Sequence, residues 1–501
     1  MLEQKWKILK SGTDIRGVAS EGAPGQEINL TGEAVRAIAG AFALWLSQKT
    51  GKQPAQLKLA VGRDSRLSGP RIRDAVVSAL SKAGIQVLDC GLASTPAMFM
   101  TTVDLECDGS IQITASHHPF YRNGLKFFTS GGGLEGTDIE QLLYMAQAGE
   151  QPPAAQGGCV IPTDYMQQYA AGLRRLIVQG VDGTDKPLQG FHIVVDAGNG
   201  AGGFYASQVL QPLGADISGS QFLQPDGRFP NHIPNPEDET AMASVCAATV
   251  KAKADLGVIF DTDVDRAGAV DDKGREINRN RLVAMASAIA LEGHPGGTVV
   301  TDSITSDGLK QFIEKQLGGV HHRFKRGYKN VINEAIRLNQ EGIDCPLAIE
   351  TSGHAALREN YFLDDGAYLI TKIIIKMACL RREGRTLEDL IATLAEPVEA
   401  KELRFAILEK DFAACGNRVL AQLEAYAAQQ PGWKLADDSR EGVRVSIPQA
   451  QGWFLLRLSV HDPIMPLNVE SDIAGGVQEI LSQLAGFFQQ VEGLDTTVLF
   501  G

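Results

Sequence analysis

Apolar residues along the first third of the chain switch between two spacings. From Glu33 to Lys49 they recur at helical intervals, Leu57 to Gly62 is a short apolar run of strand length, and Arg71 to Ala83 returns to helical spacing. Strands that alternate with helices predict an α/β layer built on a parallel sheet. The glycines at 131–133 and the Pro-, Gly- and Gln-rich stretch from Gly149 to Gly158 interrupt the pattern, so a first domain is expected over residues 1–155.

The alternation then restarts twice. A helix from Asp164 to Val178 and strands from Phe191 to Val195 and from Leu256 to Phe260 make a second α/β unit, residues 156–272, closed by the charged turn Asp271 to Gly274. A helix from Arg279 to Leu291, a strand from Thr298 to Thr301, the segment Cys345 to Glu350 and a helix from Tyr368 to Leu380 make a third, residues 273–385. Beyond it, helical stretches alternate with the strand-like Gly442 to Ile447 and Trp453 to Ser459, which predicts a smaller α+β domain over residues 386–501. The length agrees, because 501 residues hold three or four domains of about 150 residues each.

Charge and composition narrow the function classes. With 60 acidic against 47 basic residues the formal charge is −13, which argues against general affinity for nucleic acid or an anionic membrane. The segment Met1 to Lys10 lacks the apolar core of a signal peptide, and no apolar run approaches the ~18 residues of a membrane span, so a cytoplasmic location is expected. The seven cysteines stand singly, without metal or redox spacing, and read as reduced packing residues.

Chemistry enters at Asp261-Thr-Asp263-Val-Asp265-Arg266, directly after the strand ending at Phe260. Three carboxylates at alternate positions raise one another's pKa unless a cation sits among them. A donor set of oxygens alone favours Mg²⁺ or Ca²⁺ over zinc. An EF-hand also begins with alternating aspartates, but it needs Gly sixth and Glu twelfth, where this chain has Arg266 and Asp272.

A second constellation, Thr114-Ala-Ser116-His117-His118-Pro119-Phe-Tyr-Arg-Asn123-Gly124-Leu-Lys126, follows the strand-like Ser110 to Thr114. Pro119 cannot prolong a strand and Asn-Gly marks a turn, so Ser116 is expected at a strand's carboxyl end, where open α/β sheets place their chemistry. Thr114 and His118 occupy the positions where a hydrolase nucleophile elbow requires glycine.

Taken in order, these stretches resemble the α-D-phosphohexomutase superfamily over nearly the whole chain. Thr114 to Lys126 is similar to that family's phosphoserine loop, Asp261 to Arg266 to its metal loop, and Glu350-Thr-Ser352-Gly-His354 to its sugar-binding loop. Ser11 to Gly17, Gly62 to Gly69, Val195 to Gly200 and Pro225 to Pro230 match further signatures. The resemblance implies three related α/β domains and a smaller C-terminal domain around a central cleft. It also implies a phosphosugar mutase in which a phosphorylated serine donates to a hexose phosphate, forming a hexose bisphosphate that turns and returns its other phosphate.

Carried to the matching positions, the resemblance implies Ser116 as phosphate carrier and metal ligand, with Asp261, Asp263 and Asp265 holding Mg²⁺ against it. Arg16 and Lys126 flank the reacting oxygen, and Lys126 is the better acid/base because arginine keeps its proton. Glu350 and Ser352 bind sugar hydroxyls, Gly327 and Tyr328 read the anomeric side, and His354, His117 and Arg266 join the site. Arg457 and Ser459 belong to the loop that clamps the non-reacting phosphate.

The chain departs from the family in that last loop. Val460, His461 and Asp462 replace Gly-Thr-Glu, and Pro466 stands where a second arginine belongs, so this phosphate is expected to be held differently. His118 replaces an asparagine, with altered loop hydrogen bonding expected. A competing class is raised by Gly198-Asn-Gly200-Ala-Gly-Gly203, which fits the Gly-x-Gly-x-x-Gly of dinucleotide-binding oxidoreductases but leaves the aspartates unexplained. Glucose or mannose phosphate is the expected substrate. Glucosamine phosphate is the alternative, as is a sugar-phosphate-binding relative with little activity. Oligomeric state is not legible.

Overall fold

In the computed structural model, which describes residues 1–181, 183–459 and 462–500, the chain forms two units. One holds residues 1–278 with 352–389, the other residues 279–351 with 390–501. The first unit opens with strands β1 (Lys10–Ser11), β2 (Asp14–Val18), β3 (Lys58–Arg63), β4 (Gln86–Leu92), β5 (Gly109–Ile113), β6 (Arg122–Thr129), β7 (Gly132–Gly133) and β8 (Cys159–Pro162). They form one sheet in the order β1-β2-β6-β5-β3-β4-β8, with β7 on β6.

The expected parallel sheet is present in β3, β4, β5 and β8, but β6 runs antiparallel to β5 and β2. Only residues 114–121 separate β5 from β6, too few for the crossover of a dozen or more residues that a parallel return requires. The helices Gly32–Thr50, Gly69–Lys82 and Gly136–Gln147 bury their apolar faces with Leu59, Val61, Ile111, Leu125 and Phe127 in one core. The rings of Phe42 and Phe127 lie 4.8 Å apart across it.

The second sheet has the order β12-β11-β10-β9, from β9 (Ile193–Asp196), β10 (Leu256–Phe260), β11 (Ala267–Asp271) and β12 (Glu276–Ile277). β10 is parallel to β9 and antiparallel to β11, so residues 261–266 form the connection of a hairpin. The turn after β9 overturns the dinucleotide reading. A Cβ at Gly200 would lie 2.6 Å from the carbonyl oxygen of Thr262, and one at Gly203 would lie 2.2 Å from that of Leu223. Protein backbone therefore fills the space that a pyrophosphate needs.

The second unit takes up the chain at Arg279 and contains β13 (Thr298–Thr301), β14 (Val320–Arg323) and β15 (Leu347–Ile349), with β13 parallel to both neighbours. The chain returns to the first unit at Ser352, where β16 (Ala355–Leu357) and β17 (Leu363–Asp364) pair antiparallel. The helix Gly366–Arg382 follows, capped by Asp365, whose carboxylate accepts from Tyr368 N. The C-terminal part of the second unit is an antiparallel sheet of β18 (Glu399–Ile407), β19 (Lys434–Leu435), β20 (Val443–Ile447), β21 (Gly452–Leu456), β22 (Ile464–Ser471) and β23 (Leu494–Asp495). Its order is β19-β20-β21-β22-β18-β23.

The helices Phe412–Ala427 and Gly476–Phe488 bury Leu423, Ile480 and Leu484 with apolar residues of this sheet. The strand expected over Trp453 to Ser459 stops at Leu456, opposite Leu467, which leaves Arg457 to Ser459 in a loop. No helix among the described residues is long and apolar enough to cross a membrane, and all seven cysteines are free.

Candidate active site

Asp261, Asp263 and Asp265 are buried, and one carboxylate oxygen from each lies within 4.8 Å of the others. The turn that gathers them depends on Val264, whose φ of 68° lies in the left-handed region. A β-branched residue is a genuine outlier there, at a cost of about 1–3 kcal/mol, and is held because its side chain is fully buried and its carbonyl accepts from Gly366 N at 3.1 Å.

Ser116 reaches the same place from the end of β5. Its φ is 49°, and its Oγ donates to Asp261 Oδ2 at 2.9 Å. Arg266 Nη2 donates to Ser116 Oγ at 3.3 Å and to His117 Nδ1 at 2.6 Å, while Arg266 Nη1 donates to Asn235 Oδ1 at 3.0 Å. Burial, reinforced by this arginine, pushes the His117 pKa far below its ordinary value. The ring is therefore neutral, accepting at Nδ1. His118 acts through backbone instead: its N–H donates to the carbonyl of Ala115 at 3.1 Å and its own carbonyl accepts from Arg66 at 2.6 Å.

Two protein cations stand among the three aspartates. Lys126, on β6, donates from Nζ to Asp263 Oδ2 at 3.1 Å and to Asp265 Oδ2, and Arg266 Nε lies 3.4 Å from Asp261 Oδ2. Burial, with Asp265 and Asp263 close by, drives the Asp261 pKa well above the carboxylate range. Burial would do the same to Asp265, but Lys126, His354 and Arg266 outweigh it and hold that carboxyl below its usual value. Oδ1 of Asp263 and Oδ1 of Asp265 are buried without a hydrogen-bond partner among the described residues. Two orphaned carboxylate oxygens in an all-oxygen set are the donors a hard divalent cation takes.

Arg16, on β2, pairs with Gly124 across the sheet and donates to Asp14 Oδ2 at 2.7 Å. A Cβ at Gly124 would lie 2.3 Å from the carbonyl oxygen of Ile15 and 2.7 Å from that of Thr114, so glycine is what lets β2, β6 and the serine loop close together. His354 faces the metal loop through backbone, since Ala267 N donates to the carbonyl of Gly353. Its Nδ1 bonds Asp364 Oδ2. Burial disfavours the imidazolium, but Asp364 outweighs it and lifts His354 to about 9. Ser352, beside it, is 5% exposed.

In the second unit, Glu350 follows β15 and its Oε1 accepts from Gly327 N at 2.6 Å. Gly327 has φ 117° and precedes the helix Tyr328–Gln340. Asp302, after β13, accepts from Thr351 Oγ1 at 2.8 Å and lies 4.0 Å from Arg326 Nε. Asp302 and Glu350 thus occupy carboxyl ends of adjacent parallel strands, where α/β sheets bind ligands. Further along, Arg457 N donates to the carbonyl of Pro466 at 3.1 Å, and Asp462 N to Ser459 Oγ at 3.3 Å. Arg457 Nε is buried without a hydrogen-bond partner among the described residues. Val460 and His461 lie outside the described residues.

Sequence reasoning missed several groups. Thr95, at the start of the helix Thr95–Asp104, donates from Oγ1 to Asp263 Oδ2 and from N to the Asp263 carbonyl at 2.8 Å. Nothing local distinguishes it from an ordinary first-turn threonine. Asp302 was detectable as the carboxylate after an apolar strand. Arg66 lay in a stretch read only as a matching signature.

Comparison with known proteins fits this geometry. Residues 7–151, 167–274 and 278–398 match, in order, the phosphoglucomutase/phosphomannomutase α/β/α domains I, II and III. The phosphoglucomutase/phosphomannomutase of Thermococcus kodakarensis is 30% identical over 471 residues, which is 93% of this chain and 95% of that protein. The phosphoglucomutase of Neisseria gonorrhoeae is 29% identical over 469 residues, 93% and 94% of the two chains. The crystal structure of a phosphoglucomutase/phosphomannomutase family protein from Burkholderia thailandensis superposes with a TM-score of 0.80 at 26% identity, covering 98% of each chain.

Proposed function

Since the chain belongs to the α-D-phosphohexomutase superfamily and is a hexose phosphate mutase, we propose that Ser116 carries the phosphoryl group it transfers. The observation that supports this most is the 2.9 Å contact of Ser116 Oγ with Asp261, beside two carboxylate oxygens that lack hydrogen-bond partners among the described residues. Asp261, Asp263 and Asp265 would hold Mg²⁺ beside Ser116. When bound, the ion neutralises charge on the transferring phosphoryl group.

Charge counting favours that assignment. With Asp261 ionised, as a bound cation would keep it, the three aspartates against Lys126 and Arg266 leave about one net negative charge, and a phosphoserine adds nearly two more at pH 7. A buried excess of negative charge favours a divalent cation.

In transfer, the P–O bond to Ser116 Oγ breaks as a sugar hydroxyl oxygen forms a new one; Lys126 Nζ, as the neutral amine in this step, takes the hydroxyl proton, and the departing Ser116 oxygen is held as an oxyanion by Arg266 Nη2. In the return step the same nitrogen gives a proton to the departing sugar oxygen. Arg16 and Arg266 hold equatorial phosphate oxygens, and neutral His117 keeps the Arg266 fork turned toward the serine. His354, kept charged by Asp364, Ser352 and Glu350 bind sugar hydroxyls, with Gly327 and Tyr328 on the anomeric side. Arg457 and Ser459 take the non-reacting phosphate, with the Nε of Arg457, which has no hydrogen-bond partner among the described residues, as one donor.

A hexose 1,6-bisphosphate is the intermediate, and glucose or mannose phosphate the substrate. Incubation with Mg²⁺, glucose 1,6-bisphosphate and glucose 1-phosphate, mannose 1-phosphate or glucosamine 1-phosphate tests both. Turnover of the first two with phosphate mapping to Ser116 is expected. Turnover of the glucosamine ester alone overturns the substrate assignment, and phosphate on another residue overturns that of Ser116.

A further inference from the structure

Arg66 takes no part in the chemistry described above, yet the serine loop is built around it. The side chain is 0% exposed, as is that of Asp64, whose Oδ2 accepts from Arg66 Nε at 3.1 Å. Its Nη2 donates to the carbonyls of Ser116 and, at 2.6 Å, His118, and its Nη1 to those of Pro119 and Arg122 at 2.8 and 2.9 Å. Three carbonyl oxygens of the serine loop and one at the start of β6 therefore converge on a single guanidinium. Only a planar fork with five N–H groups satisfies them all, because an ammonium has three donors in another geometry.

The same residue reaches the other side of Ser116 through a relay. Asp64 Oδ2 also accepts from Thr114 Oγ1 at 2.7 Å, and Thr114 Oγ1 accepts from Ser116 N at 2.9 Å. Both peptide groups that set φ and ψ at Ser116 are thereby fixed, which is how a serine stays at φ 49°. The loop at 225–230 closes over the arginine. The Phe229 ring lies 5.2 Å from the guanidinium carbon, and a Cβ at Gly227 would lie 2.5 Å from Leu67 N and 2.7 Å from Arg66 Cα.

We infer that Arg66 is a positioning residue for phosphoryl transfer: by gathering the loop carbonyls it fixes the strained serine so that Oγ faces Asp261, without touching substrate. The inference rests on the reading of Ser116 as the phosphate carrier. It separates geometry at the serine from metal binding at the aspartates, because among the described residues no hydrogen bond of Arg66 reaches residues 261–265, and a lysine there keeps the charge that Asp263 feels.

The test is rapid-quench phosphorylation of Ser116 by glucose 1,6-bisphosphate, alongside Mn²⁺ affinity and steady-state KM, in full-length wild type, Arg66→Lys and Thr114→Val. Displacing a reacting atom by an ångström costs about a hundredfold, so Arg66→Lys is expected to slow transfer by roughly that factor, with KM and Mn²⁺ affinity within about twofold of wild type. Thr114→Val removes the last two bonds of the relay while leaving Arg66 in place. It is expected to show the same split with about a tenfold loss, and it carries the test should Arg66→Lys not fold. Transfer at the wild-type rate in the variants, or a loss of Mn²⁺ affinity in step with transfer, overturns the inference. A wild type that takes no phosphate on Ser116 overturns the assignment of the serine itself, a result distinct from both.

Discussion

Ser116 and Val264 share a backbone conformation that neither residue type favours, with φ of 49° and 68°, on the two loops whose side chains meet at Asp261. Left-handed backbone at two facing turns fits a site whose groups are placed before substrate arrives. At Val264 the strain competes with burial. Replacing Val264 by glycine relieves about 1–3 kcal/mol of strain but removes a fully buried side chain worth about 2–3 kcal/mol and leaves a cavity. We expect Val264→Gly to be destabilised by about 1 kcal/mol, and chemical denaturation measures it. A more stable variant would show that strain dominates.

Metal binding is predicted to stabilise the fold through the aspartates. At a hundredfold excess over Kd, Mg²⁺ adds about 2.7 kcal/mol, readable as a rise in Tm. Asp263→Asn replaces one carboxylate oxygen by an amide NH2 and removes the charge, and is expected to abolish most of that rise. An unchanged rise places the ion elsewhere.

Arg457 carries a buried nitrogen without a hydrogen-bond partner among the described residues. Removing such a group costs the fold little, whereas a charge-assisted bond to phosphate is worth about 1.5–3 kcal/mol. Arg457→Met is expected to raise KM for the hexose phosphate about tenfold or more, with kcat less affected and Tm nearly unchanged. A fall in Tm with KM intact would assign the arginine to structure.

Glu470 predicts a pH dependence of stability in the second unit. Burial, beside Asp307 and only partly offset by Arg444 and Arg323, lifts its carboxyl to about 7, while the Arg444 guanidinium stacks 3.5 Å over Trp453. With the folded value above the unfolded one, the folded chain keeps a proton that the unfolded chain has released. Stability from this group is greatest below the unfolded value and falls as pH rises through about 7. Glu470→Gln is expected to flatten urea-denaturation stability over that interval relative to wild type.

The fold was largely legible because apolar spacing changes period at nearly every element, as at Glu33 to Lys49 and Leu256 to Phe260. The antiparallel return of β6 was not, since strand direction depends on loop length and pairing partners rather than on periodicity. In the site, the three aspartates announce themselves by mutual repulsion, and Ser116 by the turn residues after it. Thr95 and Arg66 carry no such local mark: each acts on a partner far along the chain, and only the folded arrangement brings them together. That Lys126 already stands among the carboxylates was likewise invisible, because ion pairing across 137 positions leaves no trace in spacing, whereas Arg266 adjoins Asp265 in the chain.

The short return from β5 to β6 makes the hairpin a ruler. Gln112 lies opposite Lys126, and along β6 side chains alternate between the core that takes Leu125 and Phe127 and the side that takes the lysine. Adding or deleting one residue in that return would slide the pairing by a step and turn the amine into the apolar interior. The length of this loop is therefore as much a part of the catalyst as the hydroxyl it displays.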